Sequence, residues 1–375
     1  MRLVETAPLT EKDRRNVVLR CRSLSANTPS SVIIKHVVAD NYDPEHTTSW
    51  DVRRFFSDWA GAAFLSTLPG IPCSGPRFYA GDRAFGFFVM EDLGPHRSLV
   101  TPLLEGTAAS ATTALRTFAT ALGRLHATTI GHSADFERLC QALHHPGAVS
   151  DPAGTAFSEQ ATRLQDACEV LGVRAEAGFR QELETVRETL MNPGPFRAYI
   201  HGDPCPDNVF FTEEQLRLID FEFGCLGHAL LDGAYGRMMF PTFWCANRLP
   251  RTLLTQMESW YRAELAAGCP EAEDDRVFEP DLVHACASWV VNTLGRHLEG
   301  ALREDRPWGI ATMRPRLLAR LEAFIATAEE FDQLPAVRGT ASRLLEVLDK
   351  RWPEISPLPL YPAFRKEERH EEPGA

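Results

Sequence analysis

The hydrophobic pattern changes character at Gly94, and that change restricts the chain to two unlike parts. From Asn16 to Asp92 the apolar residues come in short β-branched or aromatic runs, NVVLRC, SVIIKHVV and AFGFFVME, separated by Ser, Asn, Pro and Gly, which is the punctuation of strands. One helix interrupts them. In SWDVRRFFSDWAGAAFLSTLPG the residues Val52, Phe55, Phe56, Trp59, Ala63 and Leu65 recur at helical spacing, Ser49 or Thr48 can cap the start, and Pro69-Gly70 supplies a stop. After Gly94 the patterns are long and helical, as in ATTALRTFATALGRLHATT, FRQELETVRETLM, LLTQMESWYRAELAA and LVHACASWVVNTLGRHLEGAL. The expected fold is therefore α+β, with a small sheet carrying one helix over residues 1–93 and a larger, mainly helical part over residues 94–375.

One stretch breaks the helical half. FRAYIHGDPCPDNVFFTEEQLRLIDFE reads as short strands at Ala198 to Ile200, Val209 to Phe211 and Leu216 to Ile219, bracketing two polar loops, the last pair joined by a turn at Thr212 to Gln215. The tail from Trp352 is rich in Pro and then in charge, so it is expected to be partly disordered.

With 375 residues, 44% of them hydrophobic and 24% charged, the chain has enough apolar surface for a sizeable core. A formal net charge of -12, with no concentrated Lys/Arg cluster, argues against a nucleic-acid or anionic-membrane partner and suits a cationic small ligand. The nine cysteines are scattered and form no C-x-x-C pair, which reads as reduced thiols. No apolar leader stands at the N-terminus and no run approaches the ~18 apolar residues of a membrane helix, so a cytoplasmic chain is expected.

His201, Asp203 and Asn208 spell H-x-D-x-x-x-x-N, and Asp220 follows in IDFE after a short hairpin. Phosphoryl transfer needs one carboxylate where an acceptor hydroxyl arrives, and separate oxygen ligands for the Mg²⁺ that bridges nucleotide phosphates. A loop flanked by strands can present Asp203 and Asn208 on one side while Asp220 approaches from the neighbouring hairpin.

These residues resemble the motifs of the aminoglycoside phosphotransferase and choline kinase family, small-molecule kinases with a bilobal protein-kinase-like fold; the resemblance covers roughly residues 16–240. It implies that Asp203 is the catalytic base or orients the acceptor hydroxyl, that Asn208 and Asp220 hold Mg²⁺, and that His201 braces the loop. In SVIIKH, Lys35 resembles the lysine that reaches the nucleotide phosphates. The family's helical Glu partner to that lysine is missing, since residues 46–90 contain no Glu; Asp58 is the best-placed substitute and Asp51 the fallback. RSLSANTPSS, where a phosphate-covering loop is expected, contains no glycine, leaving Ser25 and Asn27 as candidates. FFVMEDLGP resembles the hinge between lobes, where the Glu91 carbonyl and Leu93 amide would meet a nucleotide base. His126 and Asp232 match scaffold positions, Asp232 as a buried helix cap. For the acceptor, Glu222 is a candidate beside Asp220, and Trp289 and Arg296, with Trp244, Asn292 and Trp308, are candidate lining residues. The implied function is transfer of the γ-phosphoryl group of ATP or GTP to a hydroxyl of a small molecule, an aminoglycoside-like antibiotic or another aminated metabolite. The alternatives are a nucleoside, sugar or choline-like kinase, or a nucleotide-binding pseudokinase. The missing glycine loop and the Asp-for-Glu exchange speak for the pseudokinase; the complete loop H-x-D-x-x-x-x-N speaks for the enzyme.

Overall fold

A computed structural model describes residues 3–10, 16–24, 29–38, 42–46, 49–68, 74–95, 97–144, 155–212 and 215–365. Its first part is a five-stranded antiparallel sheet in the order β1-β2-β3-β5-β4. The strands are β1 (Leu3–Pro8), β2 (Asn16–Ser23), β3 (Ser31–Val37), β4 (Phe78–Asp82) and β5 (Phe87–Glu91), with α1 (Trp50–Thr67) between β3 and β4. The expected runs became β2, β3 and β5. The sequence reading named neither β1 nor β4, because LVETAP mixes charge and proline into its alternation and FYAGD is mostly exposed.

Ser49 caps α1 by accepting from the Val52 N–H, while Thr48 and the Pro69-Gly70 stop lie outside the described residues. The periodicity of α1 suggests one buried face, yet every residue from Phe55 to Leu65 is buried. The reason is its place in the molecule. Val52, Phe55, Phe56, Trp59 and Ala63 pack with Val37 and Phe88 of the sheet, whereas Ala60, Phe64 and Leu65 belong to the core of the helical part. The helix is thus covered on both sides by two lobes. Gly61 permits that closeness: a Cβ there would lie 2.7 Å from the Phe221 Cβ and 2.1 Å from the Tyr199 hydroxyl.

The second part begins with β6 (Arg97–Ser98) and continues through α2 (Val100–Leu104), α3 (Ala108–Thr129), α4 (Ser133–Ala142), α5 (Thr155–Val170) and α6 (Phe179–Met191). Next come β7 (Arg197–Ile200), β8 (Val209–Phe211), β9 (Leu216–Leu218), β10 (Cys225–His228) and the short α7 (Ala229–Gly233). The chain then runs through α8 (Arg251–Leu265), α9 (Asp275–Arg303), the hairpin β11 (Pro307–Trp308) and β12 (Ala311–Thr312), α10 (Met313–Glu330) and α11 (Pro335–Arg351). The two small ribbons matter most for function. β7 pairs with β10, and β8 sits between β6 and β9, so the segment joining β7 to β8 is held at both ends.

One expectation needs correction. The tail is packed as far as Arg365: Trp352, Leu358, Tyr361 and Phe364 are buried, and Leu360 bridges to Arg248, so the expected disorder does not extend to residues 352–365. Residues 366–375 lie outside the described residues. The eight cysteines among the described residues are free, and no helix among them is long and apolar enough to cross a membrane.

Candidate active site

The site is best built from Lys35. In β3 it stands opposite Phe88 of β5, on the face that meets α1, and its stem is buried there. Its Nζ contacts the Asp58 carboxylate on α1 and lies 2.5 Å from Asp220 Oδ1. Burial opposes the charge on Lys35, and the Asp220 and Asp58 carboxylates outweigh it, leaving the ammonium above its ordinary range. Asp58 moves upward as well, driven by burial and restrained by Lys35. Of the two candidate partners, Asp58 is therefore the one that reaches Lys35. Its other oxygen accepts from the Phe221 N–H at 2.8 Å, which fastens α1 to the residue after Asp220.

Asp220 has φ of +65°, a left-handed conformation that Asp tolerates better than most residues. The Ile219 N–H donates to the Asn208 carbonyl at 3.0 Å, and the Phe221 ring lies 5.0 Å from that of His201, so the two polar loops are tied together. His201 is fully buried. Its Nε2 bonds the Ile219 carbonyl at 2.9 Å and its Nδ1 accepts from the Asp203 N–H at 3.3 Å, which makes Nε2 the protonated nitrogen. Gly202, at φ +76°, turns the chain where a Cβ would lie 2.5 Å from the Phe223 carbonyl oxygen.

Asp203 is only partly exposed, and two groups the sequence reading did not single out grip it. The Tyr235 hydroxyl donates to its Oδ1 at 2.8 Å, and the Thr242 hydroxyl contacts the same oxygen. Burial raises the Asp203 carboxyl above the usual range; bonding from Thr242, the nearby His201, Tyr235 and Cys205 holds the rise in check. Asn208 donates its Nδ2 to the Asp203 carbonyl at 3.0 Å, which directs its own Oδ1 elsewhere. Asp207, in the same loop, is half-buried and accepts from the Trp244 indole N–H at 3.2 Å.

Asp232 is buried but does not cap a helix; His228 caps α7. Asp232 receives the His201 N–H at 2.6 Å and the Gly202 N–H at 3.1 Å, with His126 behind it at 3.3 Å. Its separation from the loop in sequence concealed that task.

The acceptor candidates fare differently. Glu222 is buried and paired with Arg54 of α1, whose guanidinium lies 4.6 Å from the centre of the Phe223 ring, so it does not offer a carboxylate to an acceptor. Trp289 is a core residue: its indole donates to the Leu231 carbonyl at 2.7 Å and its ring meets Tyr235 edge-on at 5.4 Å. Arg296 is exposed on α9, and Asn292 bonds back to Ser288 within that helix. Trp244 is the exposed aromatic beside the loop, at 40% exposure. Glu91 ends β5 and Leu93 follows it, half-buried; the Glu91 carboxylate accepts from the Arg77 N–H at 3.0 Å. Between them Asp92 is locked to Arg20 of β2 at 2.8 Å, which braces the connection between the lobes. Ser25 and Asn27 lie outside the described residues.

Residues 62–274 match the model of the phosphotransferase enzyme family, a span that contains the loop, Asp220 and Asp232. The chain belongs to that family. It is a phosphotransferase enzyme with an α+β fold. Three solved structures are similar to this chain. A choline/ethanolamine kinase family protein from Mesorhizobium loti is 14% identical, with 93% of each chain covered and a TM-score of 0.47. An ethanolamine kinase from Plasmodium vivax is 12% identical over 90% of this chain and 83% of its own, with a TM-score of 0.48. A choline kinase from Streptococcus pneumoniae is 15% identical over 87% of this chain and 95% of its own, with a TM-score of 0.43. Among curated proteins none matches this phosphotransferase.

Proposed function

We propose that this phosphotransferase moves the γ-phosphoryl group of ATP or GTP to a hydroxyl of an aminated small molecule, of aminoglycoside-like or choline-like type. The observation that carries the reading is the meeting of Lys35, Asp58 and Asp220 beside a loop that holds Asp203 by its backbone and by Tyr235. On this reading Lys35 neutralises nucleotide phosphate charge, and Asp58 keeps the ammonium in place. Asp203 orients the acceptor hydroxyl and takes its proton at the carboxylate, while His201 fixes the loop. Glu91 and Leu93 offer backbone groups to the base from the brace between the lobes. The division into a nucleotide-binding part over residues 1–93 and a catalytic part over 94–375 belongs to the same proposal.

The residues suit Mg²⁺. Asn208 and Asp220 are hard oxygen donors, and among the described residues no group of three or more His, Cys, Asp or Glu forms a cage that would hold a metal alone. Mg²⁺ bound there with the nucleotide would offset the charge of the transferring phosphoryl group.

Support for an aminated acceptor comes from the exposed Trp244 indole, the carboxylates of Asp203 and Asp207 beside it, and the net charge of -12. The test is transfer of labelled γ-phosphate from ATP and GTP to a panel of aminoglycosides, amino alcohols, choline, nucleosides and neutral sugars. Turnover should concentrate on aminated members, with KM rising as salt is added. Turnover confined to neutral members, with a KM indifferent to salt, rejects the aminated acceptor; no turnover on any member favours the pseudokinase.

A further inference from the structure

Two arginines of α10, Arg316 and Arg320, are each 1% exposed, and among the described residues neither is paired with a carboxylate. They stand one helical turn apart and both reach residues 238–244. Arg316 donates to the carbonyls of Phe243 at 2.8 Å, Trp244 at 2.5 Å and Trp308 at 2.7 Å. Arg320 donates to those of Pro241 at 2.8 Å and Met238 at 3.4 Å. Carbonyl dipoles satisfy hydrogen bonds but leave two formal charges in the interior without a counter-charge, which is costly.

The unsatisfied atoms nearby share one chemistry. Arg316 Nε, Arg320 Nη1 and Asn247 Nδ2 are buried donors with no partner, and the Tyr361 hydroxyl has no acceptor. The four belong together in the fold. The Tyr361 ring packs on Phe240 at 6.4 Å, in the segment both arginines hold, and the Tyr361 N–H donates to the carbonyl of Arg248, the neighbour of Asn247, at 3.0 Å. Burial depresses Arg316 to about 10 and Arg320 to about 9, with Arg316 adding to the pressure on Arg320. Guanidinium groups do not resolve such pressure by losing protons, so a negative charge is the remaining remedy.

We propose that Arg316, Arg320, Asn247 and Tyr361 bind a small monovalent inorganic anion, chloride in ordinary salt, as a buried ligand beneath residues 238–244. The segment needs the support: Met239 and Phe240 both adopt left-handed φ, at 56° and 49°, which strains side chains of their size. It also presents Thr242 to Asp203, so the anion would hold a group that touches the phosphoryl-transfer loop.

The test uses the whole enzyme. Thermal unfolding is followed at constant ionic strength while gluconate is exchanged for chloride or bromide, and crystals grown in bromide are examined for anomalous scattering. The midpoint should rise with halide concentration as ligand linkage requires, and a bromide peak should lie among the four donors. Tyr361→Phe removes one donor with little loss of packing and should raise the halide concentration at half effect about ten-fold. A midpoint indifferent to halide, an equal halide response in Tyr361→Phe, or a water in place of the bromide peak would each overturn the proposal.

Discussion

At the residue scale the Asp203 carboxylate is set by what surrounds it. Enclosure raises its pKa, and the Thr242 and Tyr235 hydroxyls pull it back down by bonding the ionised form. If the ionised form takes the acceptor's proton, activity falls as pH drops through that pKa. The acid limb of kcat/KM should then lie above the usual aspartate value. Thr242→Val removes a bond that favours ionisation and should move the limb to higher pH, with nucleotide affinity unchanged. Asp203→Asn keeps the shape and should lower kcat by about 10²–10⁴, as loss of a general base does. Asp207→Asn should leave kcat within a few fold, since Asn can still accept from Trp244. A steady-state pH series on the variants checks all three, and an acid limb unmoved by Thr242→Val would remove Thr242 from the account.

At the scale of elements the decisive joint is between α1 and the β9–β10 connection. Asp58 bonds Phe221, Arg54 pairs with Glu222, and Gly61 lets the helix lie against Phe221 and Tyr199. Gly61→Ala should push the helix off this contact, costing roughly 1–3 kcal/mol by overpacking and lowering activity more than stability alone explains, because Asp58 moves with it. Denaturant melts beside kcat measurements separate the two effects. Asp58→Glu, which restores the residue that the family resemblance leads one to expect, should be poorly tolerated: Asp58 already touches Lys35, and the extra C–C bond of about 1.5 Å has nowhere to go. The joint also marks what a sequence discloses. The loop over 201–211 was legible because its strands, turn and polar residues are neighbours in the chain, and Lys35 was legible through its strand. Glu222 was misread because its partner Arg54 lies on another element, and Trp289 because an aromatic on a long helix carries no sign of which way it faces. Tyr235 and Thr242 gave no signal, as hydroxyls of that kind occur throughout the chain, and β10 hid behind the glycine in CLGH.

At the scale of the whole molecule the tail closes the helical part. Trp352, Leu358, Tyr361 and Phe364 are buried, and the Arg314 guanidinium lies 5.0 Å from the centre of the Trp352 ring. Truncation after Arg351 should therefore cost several kcal/mol, since each such side chain contributes about 1.5–3 kcal/mol on burial. Thermal melts of the full chain beside the truncated one check this. The Lys35–Asp220 contact has a consequence in time. It joins residues 185 apart in the chain and the Phe221–Asp58 bond joins residues 163 apart, while the Asp203–Tyr235 and His201–Asp232 bonds span 32 and 31. Chain-closure entropy makes distant pairings form late. During refolding the loop around Asp203 can be complete while the small sheet is still undocked, so helical signal should return before phosphoryl transfer does, and newly made chains pass through a period in which they are folded in one half and inert.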